Sequence, residues 1–220
     1  MIVQVQDVLS AEMATRLEAE LRSPEAAFAP GSSTAGWHAK AVKKNEQASG
    51  EAARRVMATV ERALLAHPVF KAAARPKQIV GLLVSRYGPG MEYGLHVDDA
   101  LMQGVRTDLS FTVFLKGPDA YEGGELVIDQ SDGEIAIKLP AGAAVVYPTA
   151  ALHRVAPVLS GERLVVVGWV RSHVRRADQR EILFDLDTVV AQLRDTGGRR
   201  EVVDGILKTR ANLLRMWVDD

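Results

Sequence analysis

Arg86-Tyr87-Gly88-Pro89-Gly90-Met91-Glu92-Tyr93-Gly94-Leu95-His96-Val97-Asp98 joins two runs of period two through a Gly-Pro-Gly turn. Side chains alternate between the faces of a strand, so a period of two marks half-buried β-structure. Before this stretch Ile79–Tyr87 reads as a strand, and Leu95–Asp98 begins the next. Leu109–Leu115, Gly124–Ile128, Glu134–Leu139, Ala143–Tyr147, His153–Val158 and Arg163–Val170 continue the pattern. The breaks carry turn chemistry: Gly117-Pro118-Asp119, Asp132-Gly133, Pro140-Ala141-Gly142 and Ser160-Gly161. Eight short strands at this spacing predict a two-sheet jelly roll or barrel.

Outward from this core the period becomes helical. Towards the start, Val3 and Val5 suggest a short strand. Ser10 is a candidate N-cap for a helix reaching about Leu21, with Met13, Leu17 and Leu21 on one stripe. A second helix is expected over about Gly50–Ala66, ended by His67-Pro68, because the residue before proline disfavours helix. Residues 34–48 give no clear period. Beyond Arg171, Asp178–Leu193 and Arg199–Trp217 carry wide apolar stripes separated by Gly197-Gly198, a helical hairpin that must bury those stripes against the barrel or a second copy of the chain. The expected organisation is residues 1–76 as helical support, 77–174 as the β-core and 175–220 as a C-terminal helical extension: mostly β with flanking helices.

Composition narrows the function classes. A chain of 220 residues is long enough for one sizeable core. The net charge of −1 gives no electrostatic reason to expect nucleic acid or an anionic membrane as partner. The absence of cysteine rules out disulfides, iron–sulfur clusters and thiolate zinc sites, and fits a reducing cytoplasm. Met1–Asp7 lacks a basic region followed by a long apolar run, so no signal peptide is expected, and no apolar run approaches the roughly 20 residues of a membrane span.

His96 and Asp98, one residue apart on an expected strand, share a face; Asp99 has the opposite parity. His153, 55 positions after Asp98, can add a second imidazole. Two histidines and one carboxylate on one face of an octahedron form the facial triad of non-haem iron sites, with positions left open. A histidine–aspartate hydrogen bond and a core histidine are the plainer alternatives. Arg163 follows His153 by ten positions across the Ser160-Gly161 turn. It can hold a carboxylate bidentately, or merely snorkel at the head of Leu164-Val165-Val166-Val167. Trp169 shares the parity of Arg163 and faces either the same pocket or the core. His38, His67 and His173 lack a partner pattern.

Together, His96-Val97-Asp98, His153, Arg163 and the lead-in from Arg86 resemble the H-x-D…H…R pattern of Fe(II)/2-oxoglutarate-dependent dioxygenases of the prolyl-4-hydroxylase-like branch. Over nearly its whole length, including Thr34-Ala35-Gly36 and Lys43-Lys44-Asn45, the chain is similar to PKHD-type hydroxylases. The resemblance implies a double-stranded β-helix (jelly roll) core. It implies Fe(II) on His96, Asp98 and His153, and 2-oxoglutarate as cosubstrate, its 5-carboxylate on Arg163 and Tyr87 also in contact. It implies O2 and a small-molecule or peptidyl substrate as partners, with release of succinate and CO2. Ascorbate is a candidate reductant, iron uptake a candidate context, and the C-terminal helices a candidate homo-oligomer contact. In relatives the stretch around Trp37 and Lys43-Lys44-Asn45 contributes to substrate approach; by itself it reads as a loop with a solvated charge pair. A cupin-like metalloenzyme without a 2-oxo acid and a non-catalytic binding module are the rival readings.

Overall fold

The computed structural model describes residues 1–34 and 39–218. Its centre is a pair of antiparallel sheets. The larger has seven strands in the order Val3–Val5, Ala144–Pro148, Leu109–Phe114, Arg163–Ser172, Pro76–Tyr87, Glu46–Ser49, Ala27–Pro30. The smaller has five, in the order Gly133–Ile137, Leu126–Gln130, His153–Val155, Glu92–His96, Lys43–Lys44. This is the expected jelly-roll core with flanking helices.

Strand alternation sorts the side chains into two cores. On Arg163–Ser172, Leu164, Val166 and Val170 join the cluster under the helices. Val165 joins the cluster between the sheets, with Val167 packed against it. On Leu109–Phe114, Leu109, Phe111 and Val113 take the helical side and Phe114 the inner side. These strands are covered on both faces, which is why they read as unbroken apolar runs. Burying one such Val, Leu or Phe contributes roughly 1.5–3 kcal/mol.

The helical side is built by Ala11–Leu21 (α1), Gly50–Ala66 (α2) and Pro68–Ala74 (α3). Ser10 caps α1, its Oγ accepting from the Met13 amide at 3.1 Å, as expected. The α2 boundaries are those expected, and Val56, Val60 and Leu64 are buried. Pro68 both stops α2 and opens α3, where its fixed φ and missing N–H cost nothing.

The C-terminal hairpin is Ala177–Asp195 (α4) and Arg200–Trp217 (α5). Its stripes are buried less than their width suggests. In α4 only Leu183, Val190 and Arg180 are buried, and α5 buries none. Ionic contacts complete the docking. Asp187 receives both Arg75, beside α3, and Arg210 of α5. Arg180 donates to the Val174 and Arg175 carbonyls at 2.8 and 2.7 Å. No helix among the described residues is long and apolar enough to cross a membrane.

Three expectations need correction. The strand expected over Leu95–Asp98 is Glu92–His96 and ends before Asp98. His153–Val158 is two strands, His153–Val155 and Val158–Gly161, because the Ala156-Pro157 step removes a ladder donor. Lys43–Lys44 and Glu46–Ser49 are strands, not loop; they are too short and polar to show a period.

Gly168 is the tightest point of the large sheet. A Cβ there would lie 2.5 Å from the Gly81 carbonyl oxygen and 2.5 Å from the Phe111 ring. Gly168→Ala is therefore expected to lower stability by about 1–3 kcal/mol through overpacking, read as a lower urea midpoint with unchanged slope.

Candidate active site

His96 closes its strand and His153 opens the neighbouring one, and the two are register partners. Their rings lie 4.2 Å apart between centroids. Each ring is oriented the same way. His96 Nδ1 meets the Gly94 carbonyl at 2.8 Å, and His153 Nδ1 meets the Ala151 carbonyl at 3.0 Å. A carbonyl only accepts, so both Nδ1 atoms carry a proton, and in a neutral ring Nε2 then presents the lone pair. Burial, then the neighbouring His153, brings His96 down to about 4, so its ring is neutral at physiological pH.

Asp98 completes the group. Its two carboxylate oxygens stand 3.7 Å from His96 Nε2 and 3.7 Å from His153 Nε2 respectively. The candidate ligand atoms of the three residues all lie within 4.8 Å of one another. Strand parity chose Asp98 over Asp99 for the wrong reason, since Asp98 lies two residues beyond the strand end. Hydrogen bonds hold it instead. Ser110 Oγ donates to Oδ2 at 2.7 Å and Trp169 Nε1 donates to the same oxygen at 2.9 Å. With its one proton on Asp98, Ser110 Oγ accepts from the Thr149 hydroxyl at 3.2 Å. Both donors on Oδ2 leave Oδ1 as the open oxygen among the described residues. Trp169 thus faces the pocket, and its indole N–H is committed to Asp98.

These residues line a cavity of about 570 Å³ between the sheets. Tyr93 stacks on His96 at 3.6 Å, and Tyr147 stands edge-on to His153 at 5.1 Å. Arg163, also lining the cavity, is 1% exposed. Its register partner is Tyr87, whose ring lies 5.0 Å from the guanidinium carbon. The Arg163 Nε and Nη1 atoms have no hydrogen-bond partner, and no carboxylate among the described residues pairs with it. Burial raises the Tyr87 hydroxyl pKa, with Arg163 opposing. Burial likewise raises the Tyr121 hydroxyl pKa, with the charge and side-chain hydrogen bonding of the adjacent Arg163 opposing.

The polar inner wall is the part sequence reasoning missed. Lys43, Asn45 and Gln47 are buried and line the cavity, so of the basic pair only Lys44, which pairs with Glu92, is exposed to solvent. Ser110 and Thr112, two hydroxyls of one parity inside an apolar strand, were a legible signal that went unread. His67 and His173 stay outside the cavity. Ala35, Gly36, Trp37 and His38 lie outside the described residues.

Residues 82–171 match the family model of the 2OG-Fe(II) oxygenase superfamily, and residues 178–219 match that of the PKHD-type hydroxylase C-terminal domain. A PKHD-type hydroxylase of Maricaulis maris is 54% identical over 221 residues, covering 100% of both chains. One of Acaryochloris marina is 49% identical over 221 residues with the same coverage. Among solved structures, a Pseudomonas putida prolyl-4-hydroxylase aligns with a TM-score of 0.57 and 24% identity, covering 78% of this chain and 92% of that one. A Trichoplax adhaerens prolyl hydroxylase, in complex with a peptide fragment of a hypoxia-inducible factor, aligns with a TM-score of 0.58 and 10% identity, covering 77% and 83%. At these identities the structures speak for the fold.

The neutral His96 sets a pH dependence. An unfolded histidine titrates near its ordinary value of about 6.5, whereas the folded one titrates at about 4. Between those values the unfolded chain binds more protons, so stability rises with pH and is lost on acidification. Urea titrations of metal-free protein across this window are expected to show that slope, and His96→Leu to flatten it.

Proposed function

The chain belongs to the 2OG-Fe(II) oxygenase superfamily as a PKHD-type hydroxylase, and from that premise we propose that His96, Asp98 and His153 hold Fe(II) while Arg163 holds the 5-carboxylate of 2-oxoglutarate. The observation that carries this reading is the Arg163 guanidinium, buried among pocket residues without a carboxylate partner. An isolated buried charge costs several kcal/mol unless an opposite charge meets it. A dianionic 2-oxo acid with one end on the metal places its far carboxylate there. A cupin-like metalloenzyme or a plain binding module gives that cation no task.

The residues present fit the metal. Two neutral imidazoles and one carboxylate suit Fe(II), and three ligands leave room for two cosubstrate oxygens and O2. When bound, Fe(II) supplies the O2 activation that couples decarboxylation of 2-oxoglutarate, to succinate and CO2, with hydroxylation of a substrate C–H bond. The chain does the rest. The Gly94 and Ala151 carbonyls keep the imidazoles in the ligating tautomer. Ser110 and Trp169 hold the Asp98 carboxylate against rotation. Tyr87 walls the cosubstrate end beside Arg163. The apolar lining from Leu126, Phe111 and Val167 keeps bulk water from the reacting centre.

Other parts of the reading have separate supports. Ascorbate as reductant and a role in iron uptake rest on the family resemblance alone. A cytoplasmic setting rests on the absence of cysteine. Pairing of two copies through the hairpin is supported by Val202 and Met216, which share a face of α5 and are 46% and 73% exposed.

Arg163→Ala is expected to weaken 2-oxoglutarate by roughly 30-fold or more, since truncating one partner of a buried charge pair costs about 2–5 kcal/mol. Anaerobic calorimetry of Fe(II)-loaded protein measures it, and unchanged affinity rejects the assignment. His96→Ala is expected to abolish succinate release. Trp169→Phe, which removes one donor from Asp98 but keeps the ring, is expected to weaken metal binding about 10–100-fold, read by metal titration.

A further inference from the structure

Residues 43–47 cross from one sheet to the other. Lys43 and Lys44 pair with Tyr93 and Glu92 in the small sheet, while Glu46 and Gln47 pair with Arg86 and Ser85 in the large one. Continued by one residue, the second register sets Asn45 beside Tyr87. Tyr87 is in turn the register partner of Arg163. Asn45, Tyr87 and Arg163 therefore form one row across the inner face of the large sheet. They are 5%, 3% and 1% exposed, and all three line the cavity. Neighbouring strands stand about 4.7–4.9 Å apart, so Asn45 adjoins Tyr87 and meets the Arg163 end of the cavity only across it. Asn45 is also held from behind. Its backbone carbonyl accepts from the Gly31 amide at 2.8 Å. A Cβ on Gly31 would lie 2.0 Å from Asn45 Oδ1. The Oδ1 end thus rests against Gly31, where only a glycine leaves it room, and the Nδ2 end is turned from that wall.

Resting on the assignment of Arg163 above, we propose that Asn45 is a positioning residue for the cosubstrate: its amide N–H donates to the Tyr87 hydroxyl oxygen and so directs the Tyr87 proton to the far carboxylate of the 2-oxo acid beside Arg163. The donor inventory allows one arrangement. A phenol has one proton and a carboxylate only accepts, so Tyr87 serves the carboxylate only as a donor. A neighbour that accepted from Tyr87 would take that proton away. A neighbour that donates to it leaves the proton for the ligand and strengthens its donation. The electrostatics agree. Burial raises the Tyr87 hydroxyl pKa, so the phenol keeps its proton at physiological pH; the Arg163 charge and then hydrogen bonding from the Asn45 side chain oppose the rise. A hydrogen bond that lowers a phenol's pKa is one its oxygen receives. An amide supplies that donor without a charge of its own, so Arg163 stays the charge partner of the carboxylate and Tyr87 fixes its direction.

The test uses full-length protein loaded anaerobically with Fe(II). Calorimetry compares 2-oxoglutarate with 2-oxobutanoate, which carries the same chelating head and no far carboxylate. Asn45→Ala is expected to weaken 2-oxoglutarate by about 3–10-fold, the worth of one hydrogen bond, and to leave 2-oxobutanoate within about twofold. Tyr87→Phe is expected to do the same, and adding Asn45→Ala to it to cost less than about twofold more, because the two residues act as one unit. Gly31→Ala, which displaces the amide without removing it, is expected to weaken 2-oxoglutarate selectively as well, and replaces Asn45→Ala should that variant not fold. An equal loss for both 2-oxo acids overturns the proposal, since Asn45 then supports only the fold or the metal. So does an Asn45→Ala loss that persists undiminished in the Tyr87→Phe background, since Asn45 then does not act through Tyr87. A wild type that binds 2-oxobutanoate as tightly as 2-oxoglutarate rejects the assignment of Arg163 instead, and this proposal falls with it.

Discussion

The two hydrogen bonds onto Asp98 Oδ2 tie the molecule's two sheets to one point. His96 and His153 belong to the small sheet, and Asp98 hangs from the chain just beyond it. Its donors, Ser110 and Trp169, stand on neighbouring strands of the large sheet, where they are register partners. The distance between the sheets therefore sets where the carboxylate sits relative to the imidazoles. Packing of Phe114, Ile128, Val145 and Val165 between the sheets holds that distance.

The same sheet pairing explains the charge arrangement. Arg163 heads its strand opposite Tyr87, deep in the cavity, while the open edge between the sheets is crossed by residues 43–47. A cation at the deep end and a cation on the wall bracket the imidazoles and Asp98. A cation in a low-dielectric pocket attracts an anion more strongly than one at the surface. The ionic ties of the C-terminal hairpin, by contrast, lie on the far side of the large sheet. Asp187 bridges Arg75 and Arg210 there, and Arg180 satisfies backbone carbonyls. Those contacts substitute for apolar burial that α5 does not make.

Much of the fold was legible because its signals are local. The runs Leu109–Leu115, Ala143–Tyr147 and Arg163–Val170 announce buried strands by β-branched content and bounding turns. Ser10 and His67-Pro68 announce helix ends through capping and steric rules that involve only neighbours. The strands at Lys43–Lys44 and Glu46–Ser49 had no such signal. Their inward positions are polar because they face a cavity, and an alternation of polar with polar shows no period. The candidate ligands His96, Asp98 and His153 were legible through spacing and resemblance, as was Arg163.

What the sequence determined by itself is therefore most of the elements, the parity that sends Arg163 and Trp169 to one face, and the candidate ligand set. Those properties depend on side-chain chemistry and on periods of two or 3.6 along the chain. Only the tertiary structure decided that Asp98 is held by Trp169 and Ser110 rather than by strand geometry. It alone turned Lys43 and Asn45 into a cavity wall and left Arg163 buried without a carboxylate. Each is a relation between residues tens of positions apart, and no local period encodes which strand will lie beside which.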